Sequence, residues 1–296
     1  MNKSKGMTFS VIFRANSLNY GEGTGNISEL KKFHRGTGDV YTFASRQSLR
    51  YDMVRLGNQF FDWNLDVVDN AQGVVQFKPD CTIEDSVEMD LFGYMKTKAN
   101  EGATKRSAVV RLSHAISLEP YRSDLEFLNN MGLANRIDKD ANPATLEQHV
   151  SYYTYTMTID LTRVGVDQGI EIPNEEKATR VKQLLEVVKI LNREIRGRQE
   201  NLAPLFIIGG VYTIPNPFFQ GRIALLEGEK ERLNVDLLKD TVQTTVFGES
   251  IKETTKIGYV SSIFYNEAEF SQVAETGSVD SFFTYLSEQV NSFYGV

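Results

Sequence analysis

Residues 45–50, SRQSLR, combine side chains suited to binding phosphate groups at the start of a helix. The guanidiniums of Arg46 and Arg50 lie beside the Ser45 hydroxyl and the Gln47 amide. Arginine can bind phosphate oxygens through two parallel hydrogen bonds, and the first turn of a helix adds unpaired backbone N–H groups and a favourable dipole. The residue types and their spacing therefore indicate an anion site, most naturally for a phosphate.

An apolar stripe positions this cluster. Leu49, Met53, Leu56 and Phe60 recur with helical spacing, so the sequence predicts a helix that starts at Ser45, with this serine as the N-cap. The two arginines and the glutamine then lie on or near the first turn, away from the stripe. The apolar side chains would hold the helix in place while the polar ones face a ligand.

Basic residues are concentrated near this helix, although the chain as a whole is acidic. The formal net charge is −7, yet Lys and Arg outnumber Asp and Glu in residues 1–59, where a glycine-rich loop (21–26) precedes a basic cluster (31–35). Residues 60–101 are acidic. This asymmetry indicates one basic face on an acidic body, which would resist non-specific nucleic-acid binding. Solvated surface charge explains the composition alone equally well.

The composition fits a protein with a substantial buried core, in one large domain or two small ones. Hydrophobic residues make up 41% of the 296 residues. The single cysteine, Cys81, permits no internal disulfide, which fits a reducing compartment. No apolar run reaches the roughly 18 residues of a membrane span, and the first residues lack the apolar core of a signal peptide. We therefore expect a cytoplasmic protein that binds no membrane.

Without its insertions, the chain shows predicted elements in the order strand, helix, strand, strand, helix, strand. This is the order of ferredoxin-like and RNA-recognition-motif (RRM) folds, whose sheet often binds single-stranded RNA. The predicted class is α+β, with an RRM-like palm in residues 1–222. The predicted elements are strand 8–15, a helix from Ser45, strands 108–118 and 150–161, helix 175–196, strand 205–213 and a helix near 281–293.

Three segments are predicted to extend this palm. Residues 61–107 form an inserted finger with acidic helical pieces such as 83–95. Residues 122–149 are too long for a tight turn, so a projecting hairpin arm is expected there. Residues 223–296 form a C-terminal extension packed on the palm.

Motifs for cofactors and metals fail when each residue is compared with the pattern. The loop at 21–26 has Asn26 where a dinucleotide fingerprint needs its third glycine. Residues 138–149 begin like a calcium loop, but Pro143 and His149 replace its glycine and its bidentate glutamate. The three histidines lack the spacing of zinc ligands. We therefore expect neither a cofactor nor a metal, and we expect His114 to be a core histidine with its hydrogen bonds satisfied.

Longer segments around this cluster carry a family resemblance. The run SRQSLRYDM (45–53), preceded by RANSLNYGEGTGNISELKKFHRG (14–36), resembles the signature of the repeated backbone subunit of Cascade, the type I CRISPR surveillance complex. The likeness is greatest to DevR-like members of subtypes I-A and I-B. It covers roughly residues 8–222 and continues, in the order of the family, through LFGYM (91–95), RLSHAISLEPY (111–121), the strand 152–161 and LAPLFIIGG (202–210).

The resemblance implies a non-enzymatic role in antiviral defence. Family members polymerise head to tail along a CRISPR RNA, and each palm holds the guide backbone. A thumb-like arm from a neighbouring copy pushes one base out at regular intervals, and the segments between these kinks pair with target DNA. The implied partners are the CRISPR RNA, copies of this chain, other Cascade subunits and, through the guide, target DNA.

The resemblance also implies roles for individual residues. Ser45, Arg46, Gln47 and Arg50 would contact guide phosphates and sugars, the arm at 122–149 would be the thumb, and the turn from Gly93 to Met95 would supply an apolar wedge near the displaced base. Lys96, Lys98 and Lys105 are expected along the path of the target DNA. The residues expected to bind RNA are Asn19, Asn26, Lys31, Arg35, Ser45, Arg46, Gln47, Ser48, Arg50, Gly93, Met95, Arg106 and His149.

Two other functions remain open at this point. Related backbone subunits of type III complexes cut RNA with an aspartate in the loop after the first strand, where this chain has Glu22, Glu29 and Asp39. A monomeric RRM-type RNA-binding protein is the other alternative. The arginines of the helix start also have a simpler explanation, as surface side chains paired with acids such as Asp52.

Overall fold

The computed structural model describes residues 5–36, 38–70, 73–98, 102–228 and 231–296, with only the backbone of Lys98. Within these ranges, no helix has both the length and the apolar character needed to cross a lipid bilayer. The α-helices are α1 (Arg46–Phe61), α2 (Val87–Phe92), α3 (Met131–Ala134), α4 (Asn174–Lys189), α5 (Val235–Val242) and α6 (Val279–Tyr294), and short 3-10 helices span Asn135–Ile137, Lys252–Thr254 and Glu267–Gln272.

The strands differ widely in length, and the two longest have 11 residues each. They are β1 (Gly6–Asn16), β2 (Ile27–Ser28), β3 (Lys32–His34), β4 (Val40–Ala44), β5 (Val68–Asp69), β6 (Gln76–Phe77), β7 (Tyr94–Lys98), β8 (Gly102–Arg106), β9 (Val110–Leu112), β10 (Ala115–Ser117), β11 (Asp124–Asn129), β12 (Pro143–Gln148), β13 (Val150–Asp160), β14 (Val166–Asp167), β15 (Ile170–Glu171), β16 (Asn192–Ile195), β17 (Arg198–Asn201), β18 (Phe206–Tyr212), β19 (Thr245–Val246), β20 (Glu249–Ser250), β21 (Thr255–Tyr259) and β22 (Glu275–Ser278).

A large sheet forms the centre of the fold. Among the described residues it has nine strands in the order β22-β21-β18-β1-β13-β10-β4-β3, and β9 pairs with β13 beside β10. The pairs β18·β1, β1·β13 and β13·β10 are antiparallel. The predicted α+β class is confirmed. The strand predicted over 108–118 is interrupted, because Ser113 and His114 separate β9 from β10.

Alternation along β1 gives this sheet two different faces. Phe9, Val11 and Phe13 point to one side and are fully buried in the largest apolar cluster. That cluster includes Leu49, Met53 and Leu56 of the predicted stripe of α1 and the apolar faces of α4 and α6. Phe60, the fourth residue of the predicted stripe, is 52% exposed. Burying a side chain of this size contributes roughly 1.5–3 kcal/mol relative to leaving it exposed, so this face holds the three helices against the sheet.

The C-terminal segment covers part of the opposite face. Ile12 of β1 packs there in a second apolar cluster with Phe206, Ile208, Phe264 and Phe270. The segment after residue 222 also adds β21 and β22 to the sheet and α6 to the helical layer. It therefore supplies parts of both layers of the central fold.

The segment 61–107 contains less helix than predicted. Helix α2 is shorter than the predicted piece at 83–95, because the Ser86 side chain caps its start and Gly93, with φ 73°, follows its last residue. The hairpins β5·β6 and β7·β8 make up much of the remainder. They surround a small apolar cluster that includes Val67, Ile83 and Met89.

Helix α4 ends at Lys189, before the predicted end at Arg196. The following residues form the hairpin β16·β17, in which Arg196 and Gly197 occupy the two turn positions with φ 52° and 76°. Two residues with positive φ are the usual connection in a tight hairpin. The apolar periodicity of the helix stops at Leu191, so the predicted extension included only polar positions and one isoleucine.

The predicted arm is an antiparallel hairpin. Strands β11 and β12 pair from Asp124↔Gln148 to Asn129↔Pro143, and α3 lies at the tip. Strand β2, at the end of the glycine-rich loop, pairs in parallel with β12. All residues of β11 are exposed. The loop and the arm therefore share one three-stranded sheet that projects from the core.

Candidate nucleic-acid interface

Helix α1 begins at the predicted position, and side chains from three segments hold its first turn. The Ser45 hydroxyl accepts a hydrogen bond from Ser48 N at 3.2 Å, and the Ser48 hydroxyl donates to the Ser45 carbonyl oxygen at 2.8 Å. Asn19 Oδ1 accepts from Ser45 N at 3.3 Å, and His114 Nδ1 accepts from Arg46 N at 3.1 Å. Because the backbone N–H groups of Ser45, Arg46 and Ser48 already have partners, an anion at this end would depend more on side chains than on these three donors.

The two arginines predicted to act together occupy different environments. The side chains of Arg46 and Gln47 are exposed at the first turn of α1. Arg50 lies 2.6 Å from Glu88 of α2, and its guanidinium packs 5.3 Å from the centre of the Phe92 ring. An arginine–acid pair is therefore present at Arg50, with a partner from the finger segment. Arg46 is the arginine that this helix start presents to solvent.

Asp52, the acid considered as a partner for these arginines, lies in the core beneath them. It is 1% exposed, and its carboxylate lies 2.7 Å from Arg193 and 3.7 Å from Arg55. Burial raises the pKa of Asp52, and the two neighbouring arginines oppose that shift. Asp52 therefore joins α1 to the hairpin β16·β17 and is not the partner of Arg46 or Arg50.

The basic cluster before α1 is partly engaged with the arm and the loop. Lys32 Nζ lies 2.7 Å from Glu147 Oε1 of β12, and the Arg35 guanidinium packs 4.1 Å from the centre of the Tyr41 ring. Asn26 is exposed, and its carbonyl oxygen accepts from Thr145 N at 2.9 Å. Lys31 is partly exposed near His114. Of the predicted contacts in this region, Asn26 and Arg35 are the most accessible.

His114 was predicted to be a core histidine, but it is only partly buried, in the break between β9 and β10. Its ring packs against Phe43 at 5.1 Å, and its Nδ1 atom must be unprotonated to accept the hydrogen bond from the Arg46 backbone. Burial lowers the pKa of His114, and the nearby charges of Arg46 and Lys31 lower it further. The neutral ring therefore acts as an acceptor at the start of α1.

His149 was predicted to bind RNA, but the structure buries it. It is 7% exposed, and its Nδ1 atom is 2.7 Å from the Thr42 hydroxyl, which is also 2.8 Å from Tyr153 Oη. Burial lowers the pKa of His149, although Glu119 and Asp124 oppose this. The side chain is part of a buried hydrogen-bond network at the base of the arm, so it is not presented to a ligand.

Arg106 is likewise buried instead of facing RNA as predicted. Its side chain is 2% exposed, and its guanidinium lies 2.6 Å from Asp90 and 3.4 Å from Asp167. It also donates to the Val166 carbonyl oxygen at 2.6 Å. These contacts connect the finger segment to the loop after β13. Position alone could not reveal this, because the partner carboxylates lie on other elements.

The turn from Gly93 to Met95 combines a sterically constrained glycine with one exposed apolar side chain, that of Met95. Gly93 is buried with φ 73°, and a Cβ there would lie 2.4 Å from the Arg106 carbonyl oxygen. Met95, two residues further, is 57% exposed. Only glycine therefore fits without rearrangement at the start of β7, and the methionine projects from the finger.

The three lysines predicted near target DNA also differ. Lys96 Nζ donates to the carbonyl oxygens of Pro79, at 2.8 Å, and Cys81. Its ammonium group is therefore bound within the finger segment. Lys105 is exposed on β8. The side chain of Lys98 lies outside the described residues.

Sequence reasoning missed a group of arginines on the hairpin β16·β17. Arg196 packs 4.8 Å from the centre of the Tyr20 ring and donates to the Ser28 hydroxyl at 3.0 Å, so it lies over the glycine-rich loop. Arg198 Nε lies 3.5 Å from Glu200 Oε1. Gly197 was the available signal, since glycine is a strong local marker of turns.

The acids considered for an RNA-cutting site lie on separate parts of the loop region. Glu22 is exposed, and Glu29 accepts a hydrogen bond from the Thr24 hydroxyl at 3.3 Å. Asp39 accepts through its carbonyl oxygen from Arg35 N at 2.9 Å. Across the residues that the structure describes, no group of three or more His, Cys, Asp or Glu side chains is arranged to hold a metal ion.

The same fold occurs in chains of RNA-guided complexes. One solved chain, from a "CRISPR RNA-guided surveillance complex, pre-nicking", superposes with a TM-score of 0.61 at 12% identity, over 98% of this chain and 99% of that chain. A second, from a "CRISPR RNA-guided surveillance complex", gives 0.60 at 15% identity, over 97% and 99%. At such identities the likeness shows a common fold.

Residues 7–229 match the model of the family described as "CRISPR-associated negative auto-regulator DevR/Csa2". The chain therefore belongs to the DevR/Csa2 family of CRISPR-associated proteins, and the DevR-like resemblance of the sequence is confirmed. No curated protein matches the chain.

Proposed function

We propose that this protein is a non-enzymatic backbone subunit of a type I CRISPR surveillance complex, Cascade, that binds CRISPR RNA in the cytoplasm. Membership of the DevR/Csa2 family and the fold shared with chains of RNA-guided complexes support this role. The order of the core strands also supports an RRM-like palm. If β1, β10, β13 and β18 are counted as the first to fourth core strands, the sheet has them in the order fourth, first, third, second, with antiparallel neighbours.

The observation that carries the proposal is the exposed Arg46 and Gln47 at a rigidly capped helix start. Four hydrogen bonds fix the turn from Ser45 to Ser48, so these two side chains project from a preorganised base. A guanidinium and an amide at this position bind phosphate and sugar oxygens without reading base edges. Such contacts suit a subunit that must accept guides of any sequence.

The arm supports assembly with neighbouring copies. Phe127 is 65% exposed, Leu133 59% and Ile137 70%, all on a hairpin that projects from the core. Apolar side chains exposed together are typical of a protein contact surface. In the proposed assembly, the arm of one copy contacts the next copy and displaces a guide base. Because such a head-to-tail contact does not close into a ring, the RNA length sets the number of copies.

The test is the stoichiometry on RNA. The purified chain is mixed with two synthetic guide RNAs, one with a spacer twice as long as the other, and the mass of each complex is measured by light scattering during gel filtration. We expect more copies on the longer RNA, in proportion to the spacer. One copy on both RNAs would contradict the filament and favour a monomeric RRM-type protein.

A second measurement tests the guide and the absence of catalysis. RNA that copurifies from cells with an active CRISPR locus should contain repeat-derived handles joined to varied spacers, and random cellular RNA would contradict the proposal. Complementary RNA is then incubated with the complex and a divalent metal ion. Cleavage at regular spacing that is lost in Asp39→Ala would show that the protein is an endoribonuclease.

A further inference from the structure

Aromatic side chains form a row along one face of the β3·β4 hairpin. The rings of Phe33 and Phe43 stack with centroids 4.0 Å apart and planes inclined by 12°. His114 packs against Phe43 at 5.1 Å, and Tyr41 is the cross-strand partner of Phe33. Phe33 is 39% exposed, and the other rings are partly exposed. We call Phe33, Tyr41, Phe43 and His114 the aromatic platform.

The register shows that the aromatic platform is the open end of a sheet face that is covered elsewhere. Phe43 lies opposite Ile116, Ile116 opposite Thr154, Thr154 opposite Ile12, and Ile12 opposite Phe206. Ile12 and Phe206 are fully buried beneath the C-terminal segment, whereas Ile116 and Phe43 are only partly buried. The C-terminal segment therefore covers the central strands of this face and leaves the edge hairpin accessible.

Cationic side chains lie at both ends of the aromatic platform. Arg35 packs 4.1 Å from the centre of the Tyr41 ring at one end. At the other end, His114 accepts from the backbone of Arg46, whose side chain is exposed. Flat rings flanked by positive charge are complementary to a single-stranded nucleic acid, because bases stack on the rings and phosphates face the cations. A protein partner would not require this alternation of ring and charge.

We propose that the aromatic platform stacks unpaired bases of the guide RNA beside the phosphate contacts at the start of α1. This inference rests on the proposed function and adds a base-binding surface to its backbone contacts. Stacking requires only the π face of a base, so it is compatible with any guide sequence. Because the aromatic platform is continuous with Arg46, we assign it to the guide RNA. A displaced DNA strand offers the same unpaired bases and phosphates.

The test compares Phe33→Leu with Phe33→Tyr in the full chain. Leucine keeps an apolar side chain on the edge strand but has no π face, whereas tyrosine keeps the ring. Affinity is measured for an unstructured oligoribonucleotide containing 2-aminopurine, whose fluorescence is quenched on stacking, and for the DNA of the same sequence. Tyr265→Leu is the matched control, because Tyr265 is an aromatic residue with 78% exposure outside the aromatic platform.

We expect Phe33→Leu to bind the RNA about tenfold more weakly and to lose most of the quenching, since stacking on one ring contributes roughly that factor or more. Phe33→Tyr and Tyr265→Leu should behave as the wild type. Equal affinity and equal quenching in Phe33→Leu would overturn the proposal, and an effect confined to DNA would overturn the assignment to the guide. Thermal unfolding of each variant shows whether it is folded.

This design separates failure of the aromatic platform from failure of the proposed function. Phosphate contacts determine the salt dependence of binding, so Phe33→Leu should leave the log–log slope unchanged while Arg46→Ala reduces it. If Arg46→Ala weakens binding and Phe33→Leu does not, the function stands without the aromatic platform. If the wild type binds neither guide RNA nor the oligoribonucleotide, both proposals are wrong.

Discussion

The Arg106 guanidinium lies 2.6 Å from Asp90 Oδ1, and both side chains are buried. Asp90 also accepts from Arg180 of α4 at 3.1 Å and from Gly165 N at 2.9 Å. The Asp90 carboxylate of α2 is therefore bound by groups from the hairpin β7·β8, from helix α4 and from the loop after β13. This network fixes the finger segment, and with it Met95, relative to the central sheet.

Asp90→Asn should destabilise the protein strongly. The substitution removes the buried negative charge that two buried guanidiniums share, and it leaves Arg106 with Asp167 and Arg180 with Glu176. Removing one partner of a buried ion pair typically costs about 3–5 kcal/mol. The free energy of unfolding measured in urea reports this change. Asp66→Asn is the matched control, because the Asp66 side chain is 92% exposed beside Lys78 and its loss should change stability little. Equal effects of the two substitutions would show that the buried network is not important.

Arg46→Ala should weaken guide binding and flatten its salt dependence. Loss of one phosphate contact on a single strand reduces the log–log slope by about 0.7. Arg50→Ala should change the slope less, since Arg50 is already paired with Glu88. Affinity for guide RNA is measured at several salt concentrations, with Lys239→Ala on α5 as the control. A slope unchanged by Arg46→Ala would remove this residue from the interface.

Acidification should destabilise the start of α1 through His114. The folded-state pKa of His114 is below its ordinary value of 6.5, mainly because of burial. The unfolded chain therefore binds the proton more readily, so this contribution is fully present above about pH 6.5 and is lost as pH falls through the folded-state pKa. His149 contributes with the same sign.

The urea midpoint of unfolding, measured from about pH 7.5 down to about pH 5, tests this dependence. In His114→Asn the amide oxygen can still accept from Arg46 N, but the side chain does not titrate. We therefore expect a smaller fall of the midpoint in this variant, with the remaining fall due partly to His149. Parallel curves for wild type and variant would exclude His114 as a source of the pH dependence.

Removing apolar side chains from the arm should impair assembly without unfolding the subunit. Phe127 and Ile137 are 65% and 70% exposed, so replacing both by Ser should change the free energy of unfolding by about 0.5 kcal/mol or less per site. The number of copies on a long guide RNA, measured by light scattering, should fall. Tyr265→Ser removes a comparably exposed ring and should leave assembly intact. Normal assembly of the arm variant would show that the arm is not a contact between copies.

The parts of the fold predicted well are those with strong local signals. The N-cap at Ser45, the strand from Val150 and the final helix follow from capping chemistry, alternation and apolar periodicity within each segment. Strand β16 was assigned to the end of the helix predicted over 175–196, because the turn signal at Arg196 was weaker than the preceding periodicity. Local sequence patterns therefore predict the type of an element where the pattern is long and regular.

The environments of charged residues could not be predicted in the same way. Arg46, Arg50 and Arg106 have the same chemistry in the sequence, yet the first is exposed, the second is paired with Glu88 and the third is buried against Asp90. The environments of Arg50 and Arg106 depend on where α2 packs, which no spacing in the chain reveals. The stacking of Phe33 on Phe43 likewise depends on the pairing of β3 with β4.

Strand β2 joins the glycine-rich loop to the arm through Thr145↔Ile27 and Leu146↔Ser28. These backbone hydrogen bonds connect two segments more than a hundred residues apart. The arm therefore cannot tilt about its base without moving the loop. In the proposed assembly, a force that an adjacent copy applies at the tip of the arm would be transmitted through β12 and β2 to the glycine-rich loop.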